Sequence, residues 1–337
     1  MTLLATVWFF LLGVLFSIYL LLDGYVLGTG MVQLFLPRES RPLALRAINP
    51  VWDGNEVWLL AGGGALFAAF PPVYATVFSG FYLALLMLLL ALIFRAVSIE
   101  FYHQIESAGW RRIFSLSFGI CSVLIALLLA VALANIVRGL QFDAAGNFAG
   151  GFFDLLEPFA LLCGMTAVFA LLTYGAIYLG HRLPEQQKPI LEKLSRYAWA
   201  GWLIFFLASW LGGFFAGGRL FDNFYRFKVL FALPLATLAI LIILGYSLFK
   251  TGGRKTFVLA ALSLLLNFAT TGASLFPNLV PSLNDASRSL TLYNSSSSSY
   301  TLSAMLIIAA VGLPLVIAYT VWAQKRFSYR LEEKSHQ

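Results

Sequence analysis

Apolar runs of about 20 residues recur from one end of this chain to the other, separated by short polar joints. A helix of that length crosses roughly 30 Å of hydrocarbon, and in lipid a helix is one of few structures that satisfies every backbone polar group internally. The runs predict an all-α polytopic membrane protein with nine transmembrane helices, at about 3–31, 55–72, 73–97, 113–137, 153–180, 197–217, 228–249, 256–276 and 301–324. The composition, 60% hydrophobic and 11% charged, excludes a soluble domain. The whole chain, 1–337, reads as a single integral membrane domain, because no linker separates soluble parts.

The net charge of +7 does not point to nucleic acid, since the basic residues stand at span ends. With the N-terminus outside, 17 of the 22 Lys and Arg residues fall in inward segments. The other five are Arg138, Arg219, Arg226, Lys228 and Arg288. The bias predicts an outward N-terminus and an inward C-terminus. The N-terminal run has no basic n-region and continues into Asp23-Gly24-Tyr25, which reads as a retained span rather than a signal peptide. Cys121 and Cys163 lie within apolar runs and read as small buried hydrophobes.

Acidic side chains at membrane depth cost about 2.5–3.5 kcal/mol for Asp on insertion scales, so they are usually kept for a task. Asp53 and Glu56, in Pro50-Val51-Trp52-Asp53-Gly54-Asn55-Glu56-Val57-Trp58, head the second span. An Asp followed three residues later by Glu before an apolar run is also the signature of a capped helix start. Capping and proton handling are compatible, and both readings stand here. Asp23, far along the first span, requires a partner, for which Arg95 near the inner end of the third is the candidate. An Arg at that level that snorkels to the interface is the plainer alternative. Gly24 and Gly28 form a G-x-x-x-G, a signal of close helix packing. Glu157-Pro158 suits a helix first turn.

The histidines, His103, His181 and His336, are all expected in inward loops or the tail. Intramembrane haems usually take axial His or Met from the spans, so the chain reads as poor in haem ligands and binding no metal alone. The joint 278–300, with its run Ser295 to Ser299, has the composition of a flexible linker, although the alternation in Ser289-Leu290-Thr291-Leu292-Tyr293 suits packing on a partner. A faint echo links Gly64–Pro71 to Gly272–Pro277, a hint of duplication.

At these residues the chain resembles subunit II of the cytochrome bd-type quinol oxidases along essentially its whole length. The resemblance rests on Asp23-Gly24-Tyr25 with Gly28 and Gly30, on Pro50 through Leu59, on Gly63 through Pro71, on Phe94-Arg95, and on Phe276-Pro277 through Thr291. It implies two four-helix bundles plus one peripheral helix, and a bacterial or archaeal cytoplasmic membrane. The implied partner is a pseudo-twofold related subunit I that holds two haems b and one haem d, oxidises quinol and reduces oxygen to water. This chain would be the haem-free subunit, with small single-span accessory subunits and membrane lipids as further partners. The resemblance further implies proton delivery from the cytoplasm, and a structural quinone within the reach of subunit II. Asp53, Glu56, Asp23 and Arg95 are the implied proton-path residues, and Trp52, Asp53 and Arg95 the quinone-adjacent ones. Val26 departs from the family pattern, in which many members carry a second Asp. Two other readings are an ion-coupled secondary transporter using Asp23, Asp53 and Arg95, and a purely structural partner subunit.

Overall fold

The computed structural model describes residues 2–104, 107–143, 147–250, 253–327 and 330–331. His336 and most of the expected inward tail lie outside the described residues. The helices are α1 (Thr2–Val32), α2 (Arg41–Ile48), α3 (Trp52–Ala69), α4 (Pro71–Gly80), α5 (Tyr82–Phe101), α6 (Ala108–Arg138), α7 (Pro158–Arg182), α8 (Lys188–Ala216), α9 (Asp222–Arg226), α10 (Ala232–Lys250), α11 (Arg254–Leu275) and α12 (Ser299–Arg326). Among the described residues, eight elements are long and apolar enough to cross a membrane, and nine if the bent pair α3–α4 counts as one span.

That bent pair corrects the expected boundary between the second and third spans. The helix was expected to run to 72 and the next to begin at 73. Instead α3 stops at Ala69, α4 leaves at 119°, and the third span begins at Tyr82. Pro71 is the cause: it has no N–H to donate into the preceding turn and its ring clashes with that turn, so Phe70 leaves helical geometry and Pro71 starts a new helix.

The first bundle is α1, α3, α5 and α6; the second is α7, α8, α10 and α11; α12 touches only α1 and α3 among its main contacts. The expected two four-helix bundles and one peripheral helix are therefore present. The bundles join where α1 meets α7, and glycines set that approach. A Cβ on Gly28 would lie 2.1 Å from the Leu171 carbonyl oxygen and 2.7 Å from the Gly175 Cα, so only bare backbone fits. The G-x-x-x-G reading holds, and Gly30 extends it by admitting Ser122 and Phe118 of α6. In the second bundle Trp199 of α8 lies over Gly245 of α10 and donates from Nε1 to the Leu241 carbonyl at 2.8 Å.

The joint 278–300 is an ordered plug, not a flexible linker. Strands β1 (Asn278–Val280) and β2 (Leu290–Thr291) pair antiparallel, and Leu292 is fully buried in the chain's own core. The serine run is consumed by backbone groups at the end of α3. Ser297 donates from N to the Ala69 carbonyl at 2.9 Å and from Oγ to the Ala68 carbonyl at 2.6 Å, while Ser298 caps α12. The Gly64–Pro71 and Gly272–Pro277 segments do end α3 and α11, but these are the second helix of one bundle and the fourth of the other. The echo therefore marks two Phe-Pro helix ends rather than equivalent positions of a duplication.

Candidate functional site

The C-terminal part of α1 is buried without interruption from Asp23 to Val32, and Asp23 stands at its start with no exposed surface. Arg95 of α5, also fully buried, meets it as a fork: Nη1 donates to Asp23 Oδ2 at 2.7 Å and Nη2 to Oδ1 at 3.2 Å. Two parallel charge-assisted bonds fix both distance and plane, which a lysine could not do. The snorkelling alternative for Arg95 is thereby overturned, and the expected partnership with Asp23 is found. Arg95 Nη2 also donates to Glu56 Oε1 of α3, whose side chain remains one quarter exposed. Three helices that are distant in sequence thus share one ion cluster.

Capping does not account for the acids of α3. Val51 occupies the cap position, no side chain caps the helix, and Asp53 lies in the first turn. Glu56 turns to Arg95 instead of reaching back to the helix start. Asp53 itself is exposed, one turn before the partly buried Glu56. Trp52 is buried in the main core, which runs through both bundles. The structure therefore gathers Asp23, Glu56 and Arg95, and leaves Asp53 on the outer face of α3 with Trp52 beside it but turned inward. Val26, the departure from the expected pattern, is wholly buried in the apolar core.

A second polar group, overlooked in the sequence, adjoins the cluster. Asn55 Nδ2 donates to the Leu22 carbonyl at 2.8 Å and to the Tyr25 hydroxyl at 3.1 Å. Gln324 of α12 donates to the same hydroxyl at 2.6 Å. These bonds fix α3 against α1 beside Glu56 and tie the peripheral helix to both. Nothing local in the sequence marks Gln324, which comes from 299 residues away.

His103 follows α5 in an exposed turn, where partial burial, then Arg46 and Arg111, hold its imidazole below the usual range. His181 corrects its expected loop position: it lies in the last turn of α7, with its ring edge-on to Phe257. Glu157 precedes Pro158 at the start of α7, as expected, and pairs with Arg138 at 3.3 Å. Burial raises its carboxyl above the usual range, an effect that Arg138 opposes.

This fold and cluster define a polytopic helical membrane protein with an ion triad built across three helices of one bundle. The family model for cytochrome bd terminal oxidase subunit II matches residues 4–327. The chain belongs to that family. It is 33% identical to cytochrome bd-I ubiquinol oxidase subunit 2 of Escherichia coli (strain K12), over 97% of this chain and 95% of the relative. It is 30% identical to cytochrome bd ubiquinol oxidase subunit 2 of Bacillus subtilis (strain 168), over 97% and 96%. The solved bd oxidase from Geobacillus thermodenitrificans contains a chain of the same fold, with a TM-score of 0.75 at 18% identity, covering 96% of this chain and 98% of that one. These full-length matches do not favour the transporter reading.

Proposed function

We propose that this chain is the haem-free subunit of a quinol:oxygen oxidoreductase and carries protons from the cytoplasmic side toward an oxygen-reducing site in its partner, subunit I. The observation that carries this reading is the Asp23–Arg95–Glu56 cluster. Two carboxylates and one guanidinium leave one surplus negative charge when all are ionised, and an unneutralised charge at this depth is costly. A proton taken up by Glu56, the least buried member, removes that surplus, and its release restores the cluster for another cycle. Asp53, exposed one turn before Glu56, is the group that meets protons or the partner first.

Haems b and d fit the partner better than this chain. Among the described residues, no histidine lies in the middle of a span: His103 is in a turn and His181 in a terminal helical turn. A structural quinone would meet the chain at the start of α3, where Asp53 is exposed and Trp52 adjoins it. Arg95, already engaged by two acids, would act on such a quinone only through Glu56. The basic asymmetry supports an outward N-terminus and an inward C-terminus in the cytoplasmic membrane, where quinol and lipid are available.

The test is the purified complex with His103, His181 and His336 replaced together. Haem bands identical to wild type are expected, along with no haem on this chain expressed alone. Selective loss of one band with assembly intact would assign a haem ligand to this chain and overturn the reading.

A further inference from the structure

The proton path proposed above has an outward boundary. α1 and α3 run antiparallel, so Asn55 faces Leu22 and Tyr25, and Trp58, three residues on, faces one turn back along α1. There Leu15, Tyr19 and Trp58 form one packed cluster, flanked by Leu22, Leu129 and Leu313. Tyr19 lies four residues before Asp23, on the same face of α1. Yet the Tyr19 hydroxyl, Trp58 Nε1 and Arg95 Nε, all buried, have no hydrogen-bond partner among the described residues. Buried polar atoms are nearly always paired; Arg95 is bound to Asp23, Tyr19 stands one turn from it and Trp58 packs on Tyr19, so these three exceptions point to a ligand.

We propose that Tyr19 and Trp58 hold a small buried hydration site, of one or two water molecules, that continues the Asp23–Arg95–Glu56 network one turn further. The chemistry selects water. Trp58 Nε1 and Arg95 Nε can only donate, so the ligand must accept, while Asp23 can only accept, so the ligand must also be able to donate. An anion would be repelled by Asp23, and a cation would face two N–H groups. Water accepts from both and donates to the carboxylate, with the two to four polar partners that a buried water needs. Tyr19 then positions this water against Asp23, which keeps a hydrogen-bond donor on that carboxylate while Glu56 gains and loses a proton.

Beyond Tyr19 the surroundings become dry. Leu15 is shared with an open apolar groove of about 360 Å³ between α1, α3 and α12, whose lining includes Trp8, Leu11, Gly64 and Leu313. The network therefore ends at Tyr19 and Trp58.

The experiment uses the assembled oxidase. A high-resolution map of the wild-type complex should show ordered water within hydrogen-bond distance of both Tyr19 Oη and Trp58 Nε1; a dry site there overturns the proposal whatever the variants do. In Tyr19→Phe, with normal haem content, quinol-driven oxygen consumption should fall several-fold and its solvent deuterium isotope effect should rise. Trp58→Phe should alter the infrared band of buried water that responds to H₂¹⁸O. If that band is unchanged in both variants while Asp23→Asn is slow, the hydration site is wrong and the proton path stands. If the band changes but Asp23→Asn turns over at the wild-type rate, the water is present and the path is wrong.

Discussion

Arg95 and Asp23 form a two-pronged ion pair, at 2.7 and 3.2 Å, between helices 72 residues apart, with neither side chain exposed. Removing one partner of such a pair strands the other, at about 3–5 kcal/mol, whereas removing both costs far less. Arg95→Gln should therefore lower the thermal stability of the complex sharply, and Asp23→Asn combined with Arg95→Gln should recover much of the loss. Arg95→Lys should fall between them, since a point charge cannot reproduce the fork. Additive effects of the two single changes, measured in one detergent, would show that the pair is not coupled.

The meeting of α1 and α7 gives a second test. Gly28→Ala drives a methyl group into the Leu171 carbonyl and Gly175, backbone that can move only with its whole helix. Overpacking of this kind costs about 1–3 kcal/mol or more, so reduced yield of assembled complex is expected. Gly24→Ala meets instead the end of the Leu171 side chain at 3.1 Å, which can turn aside. Its melting temperature should stay close to wild type, and an equal loss in both variants would contradict the difference in contact.

Span number, helix class and the acidic positions were legible because they depend on local composition and on the cost of charge in lipid. The Asp23–Arg95 pairing was legible too, since each residue needed a partner at the same depth. What the linear pattern hid was orientation. Asp53 and Glu56 share a turn but face different surroundings, and the capping signature was misleading because Arg95 competes for Glu56 more strongly than a free backbone N–H does. The serines of 295–299 looked like a linker because their partners, the carbonyls of Ala68 and Ala69, are distant in sequence. Tyr19 was passed over for a similar reason: the i, i+4 spacing to Asp23 was visible, but not the burial that makes its hydroxyl matter.

His103 should titrate below the ordinary histidine range, because partial burial and the nearby Arg46 and Arg111 disfavour its charged form. Its folded-state value is the lower of the two, so the unfolded chain binds the proton first as pH falls. The contribution to stability is fully present above about pH 6.5 and is lost as pH falls through the folded value. A pH titration of the His103 ring in the intact complex checks this. His103→Gln should remove that part of the pH dependence, and an ordinary titration midpoint would show that the arginines exert no hold.

Asp53 separates a structural role from a protonic one. If it capped α3, Asp53→Ala would cost about 0.5–2 kcal/mol. Val51 holds the cap position and no side chain caps the helix, so Asp53→Ala should behave as an exposed substitution, within about 0.5 kcal/mol of wild type. A group that passes protons, by contrast, must gain and lose one. Asp53→Asn, nearly identical in shape, should therefore assemble with normal haem content yet consume oxygen much more slowly with quinol, and Asp53→Glu should restore part of the rate. The stability measurement and the turnover measurement thus answer different questions on the same variants. Full turnover in Asp53→Asn would remove Asp53 from the path and leave Glu56, with its quarter-exposed carboxylate, as the group that receives protons directly.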